Sequence, residues 1–447
     1  MTAPRLGPSA IWLLLMIALL TGCATTRSET PPRTLPPPVR EVLPNGLRLI
    51  IQEHRASPFV ALQLWIAVGG RDERPEERGF AHFAEHMLFK GTETLGPGFV
   101  DQEVEAYGGR TNAATSNDYT FYYLLLPVAR ASRGIEVLAD VAVNSKFDPE
   151  EIAREREVVF EEMRLGEDNP RASLGRRLYG VLFQGHPYGR PVLGDPAALR
   201  GATRETLRGF YKRHYIPEKM TVVVVGAVDP DSVRAIARRT FGTFPATGQA
   251  RAAAPVPSPP AAPLAEVVAR PERQASLGLA WVAPRLASAD TPAVDVLAHI
   301  LGGSRSSRLN QALREKARIV SSISAGYSAL EWGGAVMVTA QFEPALQEQV
   351  EAGILAQVRR IQDTGVAPDE LERAITASEA ELVFSRETVE GLAVAYGRAE
   401  TVWTLQDERR YLDRLRTVTR EQVQEAARRY LSGPYARLAF QPKARPQ

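Results

Sequence analysis

Largely apolar runs alternate along this chain with stretches in which apolar positions recur every three or four residues. Residues 59–68 and 119–126 are rich in β-branched and aromatic side chains, as is the short run Val222-Val223-Val224-Val225, and each predicts a strand. The helical spacing holds over residues 79–90, 149–165 and 204–214. Past the midpoint both patterns return, with strands predicted at residues 276–282, 335–342 and 436–440. Helices are predicted there at residues 292–301, 306–316, 346–362 and 369–384. Long helices grouped between strands predict an α+β fold of layered sandwiches.

Two stretches carry no such period. Residues 23–40 are rich in proline, with Pro31-Pro32 and Pro36-Pro37-Pro38, and predict an extended tether. Residues 246–266 are dominated by alanine and proline and predict a linker. The linker leaves two nearly equal parts, residues 41–245 and 267–440, that look like copies of each other. Thr203-Arg204-Glu205-Thr206-Leu207 opens a helical pattern that passes through Tyr211-Lys212-Arg213 to the valine strand. Thr419-Arg420-Glu421-Gln422-Val423 leads in the same way through Arg428-Arg429-Tyr430 to the last strand, 216 residues further on. Threonine suits the N-cap in both, and Gln422 completes a capping box in the second. The repeated start on either side of a central linker predicts two homologous domains.

At 447 residues the chain is too long for one ordinary core. Its 54 basic and 52 acidic residues leave a formal charge of +2 and no basic footprint, which excludes nucleic acid as a partner. Residues 1–22 stand apart from the fold: Arg5 precedes an apolar run at residues 11–20 that is too short for a mature membrane helix and has the form of a secretory signal. It ends in Leu20-Thr21-Gly22-Cys23, which resembles a bacterial lipobox. Cys23, the only cysteine, would become the lipidated first residue of the mature chain, and several acyl chains there exceed the marginal hold of one. A plain signal peptide cut near Ala24 is the alternative. By resemblance to bacterial lipoproteins, Ala24 after the cysteine points to the periplasmic face of the outer membrane. One cysteine allows no internal disulfide, although that compartment is oxidising.

The candidate chemistry lies in Ala81-His82-Phe83-Ala84-Glu85-His86-Met87-Leu88-Phe89-Lys90-Gly91. On a helix His82 and His86 fall one turn apart on one face with Glu85 beside them, so two imidazoles and a carboxylate converge. Two neutral imidazoles suit zinc, and the intervening carboxylate stays free as a base. An amphipathic helix that happens to carry two histidines is the plainer alternative. The chain has only six histidines, so this spacing rarely arises by accident.

With Gly79 before it and Met87 to Thr92 after it, this motif resembles that of the inverzincin or pitrilysin-type metallopeptidases; Phe80 stands where the family usually has leucine. The resemblance implies two homologous α/β sandwich domains forming half of a clam-like peptidase chamber, with zinc as cofactor. A catalytic zinc needs a third protein ligand. On the acidic helix that Asp148-Pro149-Glu150-Glu151 opens, Glu155 and Glu162 lie seven residues apart, nearly on one face, while Glu161 points roughly 100° away. Spacing alone leaves this helix open between a solvated face and a ligand-bearing one. The resemblance assigns Glu162, 76 residues after His86, as the third ligand. It matches Glu155 to an earlier glutamate of the pattern, in a supporting catalytic role that orients the metal ligands. Glu85 is then the base that takes a proton from a water acidified by zinc.

The resemblance further implies that Asn112 and Ala113, in Gly108-Gly109-Arg110-Thr111-Asn112-Ala113-Ala114-Thr115, lie on a strand edge to which an extended peptide adds. A loop entering a core strand is the plainer alternative. His186 reads as structural, and His54, His214 and His299 have no partner pattern. In pitrilysin-type enzymes the other half of the chamber supplies an arginine and, seven residues later, a tyrosine that hold the substrate carbonyl. Here Arg314 is present but Ser321 stands at the tyrosine position. The expectation is a lipid-anchored zinc endopeptidase acting on peptides or unfolded chains outside the cytoplasm. Its partner is expected to be a paralogous subunit carrying the arginine and tyrosine, or a second copy in which Tyr327 or another tyrosine substitutes. A non-catalytic assembly subunit of such a complex is the alternative from another class.

Overall fold

Strands that must be buried on both faces read as continuous apolar runs, and the two central strands of this protein show why. The computed structural model describes residues 35–443, so the signal segment, Cys23 and most of the tether lie outside the described residues. The first sheet contains β1 (Val39–Val42), β2 (Arg48–Glu53), β3 (Phe59–Ile66), β4 (Arg110–Thr115), β5 (Thr120–Pro127) and β6 (Met220–Gly226), in the order β1-β2-β6-β3-β5-β4. Only β2 and β6 run parallel; the other neighbours are antiparallel. The second sheet contains β7 (Leu264–Arg270), β8 (Ala275–Ala283), β9 (Ser322–Ala329), β10 (Gly334–Phe342) and β11 (Ala436–Pro442), in the order β7-β11-β8-β10-β9.

Two of these strands correct the expected boundaries. β1 begins at Val39, so the last two residues of the 23–40 tether belong to the sheet, and β7 begins at Leu264, inside the 246–266 linker. Both are edge strands whose alternate residues are exposed, and an edge strand needs little apolar content. The linker itself is pinned. Arg251 pairs with Asp72 of the first half at 2.8 Å and with Glu331 of the second at 2.7 Å. His186 Nε2 bonds Pro255 O at 2.7 Å, which accounts for that histidine structurally.

Eight helices position the site and the two halves: α1 (Phe80–Leu88), α2 (Pro149–Asp168), α3 (Pro170–Leu182), α4 (Arg204–His214), α5 (Thr291–Ala298), α6 (Pro368–Phe384), α7 (Val389–Val402) and α8 (Arg420–Leu431). The repeated starts at Thr203 and Thr419 both form capping boxes, with Thr206 completing the first and Gln422 the second. The expected helix at residues 306–316 is a wide π-type turn over Asn310–Lys316.

Each half lays its own helices on one face of its sheet and lends one helix to the other half. On β3, Val60, Leu62, Leu64 and Ile66 face the first half's own helices, α1 among them. Ala61 and Trp65 point the other way, where they pack against Val389, Leu392 and Ala393 of α7, a helix from the second half. In return Leu174, Leu178 and Leu182 of α3 cover Ala280, Val282 and Leu438 of the second sheet. Burial on both faces requires β3 and β8 to be largely apolar, and their sequences carry that pattern with Gln63 and Ser276 as the polar exceptions.

Candidate active site

The site is built where α1, α2 and the edge strand β4 meet. α1 starts from Gly79, whose φ of +96° a side chain would strain. A Cβ there would also sit 2.9 Å from Gly194 Cα and from Leu193 O. The start of the helix is capped by Glu73, whose buried carboxylate accepts hydrogen bonds from the Gly79 and Ala81 amides at 2.8 Å each. Burial pushes the Glu73 carboxyl up to about 8 despite those bonds. α2 starts as its sequence predicts, with Asp148 accepting from the Glu150 amide and Pro149 in the first turn.

These two helices bring three donors together. His82 Nε2 and His86 Nε2 lie 3.3 Å apart, and Glu162 Oε2 lies 3.5 Å from the first and 3.6 Å from the second. A tetrahedral ion with bonds of ~2.0–2.2 Å holds its donor atoms about 3.3–3.6 Å apart. Two imidazoles and a carboxylate in that spacing therefore fit a zinc ion. Among the described residues this is the one such cluster of histidine, cysteine and carboxylate groups.

The protonation state of His82 favours the same assignment. Burial, with His86 beside it, pulls His82 down to about 3, so its ring is neutral near pH 7. His82 Nδ1 is buried without a hydrogen-bond partner. Burial also acts to lower His86, but its bond to Glu155 and the Glu162 and Glu85 carboxylates outweigh that and raise it. His86 Nδ1 donates to Glu155 Oε2 at 2.9 Å, which in the neutral ring fixes the tautomer that presents a bare Nε2 to the cluster. Lys90 Nζ lies 2.7 Å from the other Glu155 oxygen. Against a desolvation cost, these two partners hold Glu155 below the usual carboxylate range.

Glu85 is set apart from the three donors. Thr115 Oγ1, at the end of β4, donates to Glu85 Oε2. Burial raises the Glu85 carboxyl despite that bond. Asn112 and Ala113 sit on the outermost strand, where Asn112 Oδ1 accepts from the Ala113 amide at 2.9 Å. Arg314 and Ser321 lie in the second half and make no hydrogen bond or ion pair with the cluster. Ser321 Oγ donates to Gln341 O at 3.1 Å, within the second sheet. The Tyr327 hydroxyl donates to Pro284 O at 2.6 Å, so within this chain that phenol is committed and does not replace the missing tyrosine.

Residues 48–196 match the family described as Insulinase (Peptidase family M16), and residues 201–378 match the Peptidase M16 inactive domain. An uncharacterized zinc protease of Mycobacterium tuberculosis is 32% identical over 426 residues, covering 93% of this chain and 96% of that protein. This chain belongs to peptidase family M16. Zinc is the cofactor of M16 peptidases. An uncharacterized zinc protease of Bacillus subtilis is 28% identical across 89% of this chain and 97% of that protein. A probable mitochondrial-processing peptidase subunit beta of Arabidopsis thaliana is 36% identical over 199 residues, 44% of this chain and 38% of that one. The M16 fold is also that of a solved protease from Helicobacter pylori, with a TM-score of 0.85 at 24% identity over 92% of this chain and all of that one.

Thr115, Lys90 and Glu73 are site residues that sequence reasoning missed. Lys90 carried a signal, because it follows His86 by four residues. Thr115 carried a weaker one, two positions beyond Ala113 and hence on the same strand face. Glu73 carried none, since its loop has no period.

Proposed function

We propose that this M16 member is a zinc endopeptidase that hydrolyses peptides or unfolded polypeptides outside the cytoplasm, with His82, His86 and Glu162 holding the metal. The observation that carries the reading is the convergence of these three donors within 3.3–3.6 Å of one another, beside a carboxylate that holds none of them. Bound zinc would polarise the scissile carbonyl and acidify the attacking water. Glu85 takes the proton from that water and hands it to the leaving nitrogen, and its burial makes it a stronger base. Thr115 holds one of its oxygens, which leaves Oε1 to carry the proton. Glu155 keeps His86 in the tautomer that presents Nε2. An extended substrate adds to the open edge of β4 through its backbone at Asn112 and Ala113, which favours loose sequence preference.

The proposed partner is a paralogous subunit that supplies an arginine and a tyrosine. Ser321 is too short to act as the missing phenol and is tied to Gln341, so the isolated chain lacks one oxyanion donor. Such a loss costs ~3 kcal/mol in comparable sites. Anchoring through a lipidated Cys23 at the outer membrane completes the proposal; the residue lies outside the described ones, among which no helix is long and apolar enough to cross a membrane.

Metal analysis combined with a quenched-peptide assay tests the centre. His82→Ala and Glu162→Ala lose zinc and turnover together, whereas Glu85→Gln keeps zinc and loses turnover. Full zinc occupancy in Glu162→Ala would remove that residue from the ligand set. For the partner, the purified chain is compared with the chain co-expressed beside such a paralogue. Full activity alone, unaffected by Arg314→Ala or by the partner, would refute it.

A further inference from the structure

The two exchanged helices, α3 and α7, both line a cavity of about 420 Å³ at the seam between the halves. α3 contributes Arg176 and Tyr179, α7 contributes Arg398, and Arg190 reaches the cavity from the loop beyond α3. Turn 116–119, which joins β4 to β5, forms another wall. The charges around this space do not balance. Arg176 is paired with Glu167 at 3.3 Å. Asp118, the one carboxylate among the lining residues, is likewise committed, to Arg71 at 3.4 Å, the Tyr188 hydroxyl at 2.7 Å and the Glu331 amide at 2.9 Å. Arg190 and Arg398 each donate only to a backbone carbonyl, Glu73 O at 2.6 Å and Ala329 O at 3.3 Å, and among the described residues neither forms an ion pair. Two guanidinium charges are left over at one cavity, each with most of its N–H donors unbonded.

We infer that this cavity is a binding site for a phosphate monoester, the dianion that matches its two unpaired arginines. Planar guanidinium forks suit the oxygens of a phosphate, and a recess between low-dielectric walls focuses their field. The space sets the size of the ligand. A water molecule takes about 30 Å³ of the liquid, so 420 Å³ holds on the order of fourteen waters, far more than a bare phosphate displaces. Tyr119, Leu330 and Val402 border the remainder with apolar surface, which suits a small ring-bearing body on the ester. A peptide carboxylate carries one charge and would leave one arginine unmatched. The site needs neither zinc nor turnover and stands apart from the peptidase reading. A ligand there touches α3, α7 and turn 116–119 at once, so it ties the halves together directly beyond Thr115, the residue that bonds Glu85.

The test is isothermal titration calorimetry on the full chain at pH ~7.5 and constant ionic strength. Phenyl phosphate is the probe, benzoate its singly charged counterpart and inorganic phosphate the headgroup alone. Phenyl phosphate is expected to bind at one site, at least about tenfold more tightly than either. Arg190→Gln and Arg398→Gln should each weaken it about tenfold and together abolish it. Arg416→Gln, at a surface pair with Glu379 outside the cavity, should leave it unchanged. A zinc ion is the other place where a phosphate could bind. His82→Ala should therefore keep the binding; loss of it there, with both arginine changes harmless, assigns the probe to the metal and overturns the proposal. Equal affinity for benzoate or inorganic phosphate overturns the monoester assignment, and no binding by the parent chain overturns the site. Arg398 is exposed, so its single change keeps the test decisive should the double variant melt early.

Discussion

Gly397 on α7 faces Trp65 of β3, and adding one methyl group there tests how the two halves are joined. A Cβ at Gly397 would lie 2.0 Å from Trp65 Nε1 and 2.3 Å from Cε2. The indole has nowhere to go: it is fully buried, stacked on Phe121 at 4.3 Å between ring centres, and its Nε1 donates to Gln63 Oε1 at 2.8 Å. Helix α7 must retreat by about 1 Å, and such a gap forfeits a quarter to a half of each dispersion contact along the face. In an exposed helix Gly→Ala would gain ~1 kcal/mol, whereas overpacking a core costs about 1–3 kcal/mol. Gly397→Ala should therefore destabilise by ~1–2 kcal/mol, seen as a lower urea midpoint by tryptophan fluorescence and circular dichroism. Trp65→Phe in the same chain makes room, and the pair should show a coupling of about 1 kcal/mol or more. A higher midpoint for Gly397→Ala alone, as helix propensity predicts, would refute the packing of α7 on the first sheet.

Three further outcomes follow from other parts of the protein. Glu155→Ala, which frees His86 Nδ1 and unpairs Lys90, should weaken zinc binding by about 10- to 100-fold in a metal-buffered competition; unchanged affinity would deny it an orienting role. Burial raises Asp295 to about 7, with Arg398 opposing and Glu381 adding to the shift, and Tyr411 donates to its carboxylate. Because the folded form holds that proton more tightly, its contribution is full below pH ~4 and is lost as pH rises through 7. Wild type should then lose on the order of 2 kcal/mol more than Asp295→Asn between pH 5 and pH 8 in urea titrations, and parallel curves would contradict this. Cys23→Ser should release the chain from membranes in fractionation without changing its peptidase activity, and continued membrane association would mean that another segment holds it.

The helix that pairs His82 with His86 was readable because residues four apart on a helix share a face whatever surrounds them. Glu162 was not readable from spacing, since Glu155, Glu161 and Glu162 all fit a charged helix; only the resemblance separated them, and the structure puts Glu161 in a surface pair with Arg164. Strand β3 was plain in the sequence as an apolar run broken only by Gln63. What covers its second face was not: Val389, Leu392 and Ala393 form an apolar stripe that would suit either sheet equally well, and amphipathicity does not name a partner. Edge strands β1 and β7 carry little signal in the sequence because their alternate residues are only half-buried and the rest exposed.

The exchange of α3 and α7 also sets a timetable for synthesis. β3 ends at Ile66 and α7 begins at Val389, so about 320 residues must emerge before Trp65 is covered. At ~5–20 residues per second that interval is roughly 15–65 s. From the emergence of β6, which completes the first sheet at Gly226, until α7 follows, the nascent chain presents that sheet's apolar face with no helix to close it. Such a surface is a target for holdase chaperones, and a ribosome that stalls within that window leaves a sticky product rather than a smaller working domain.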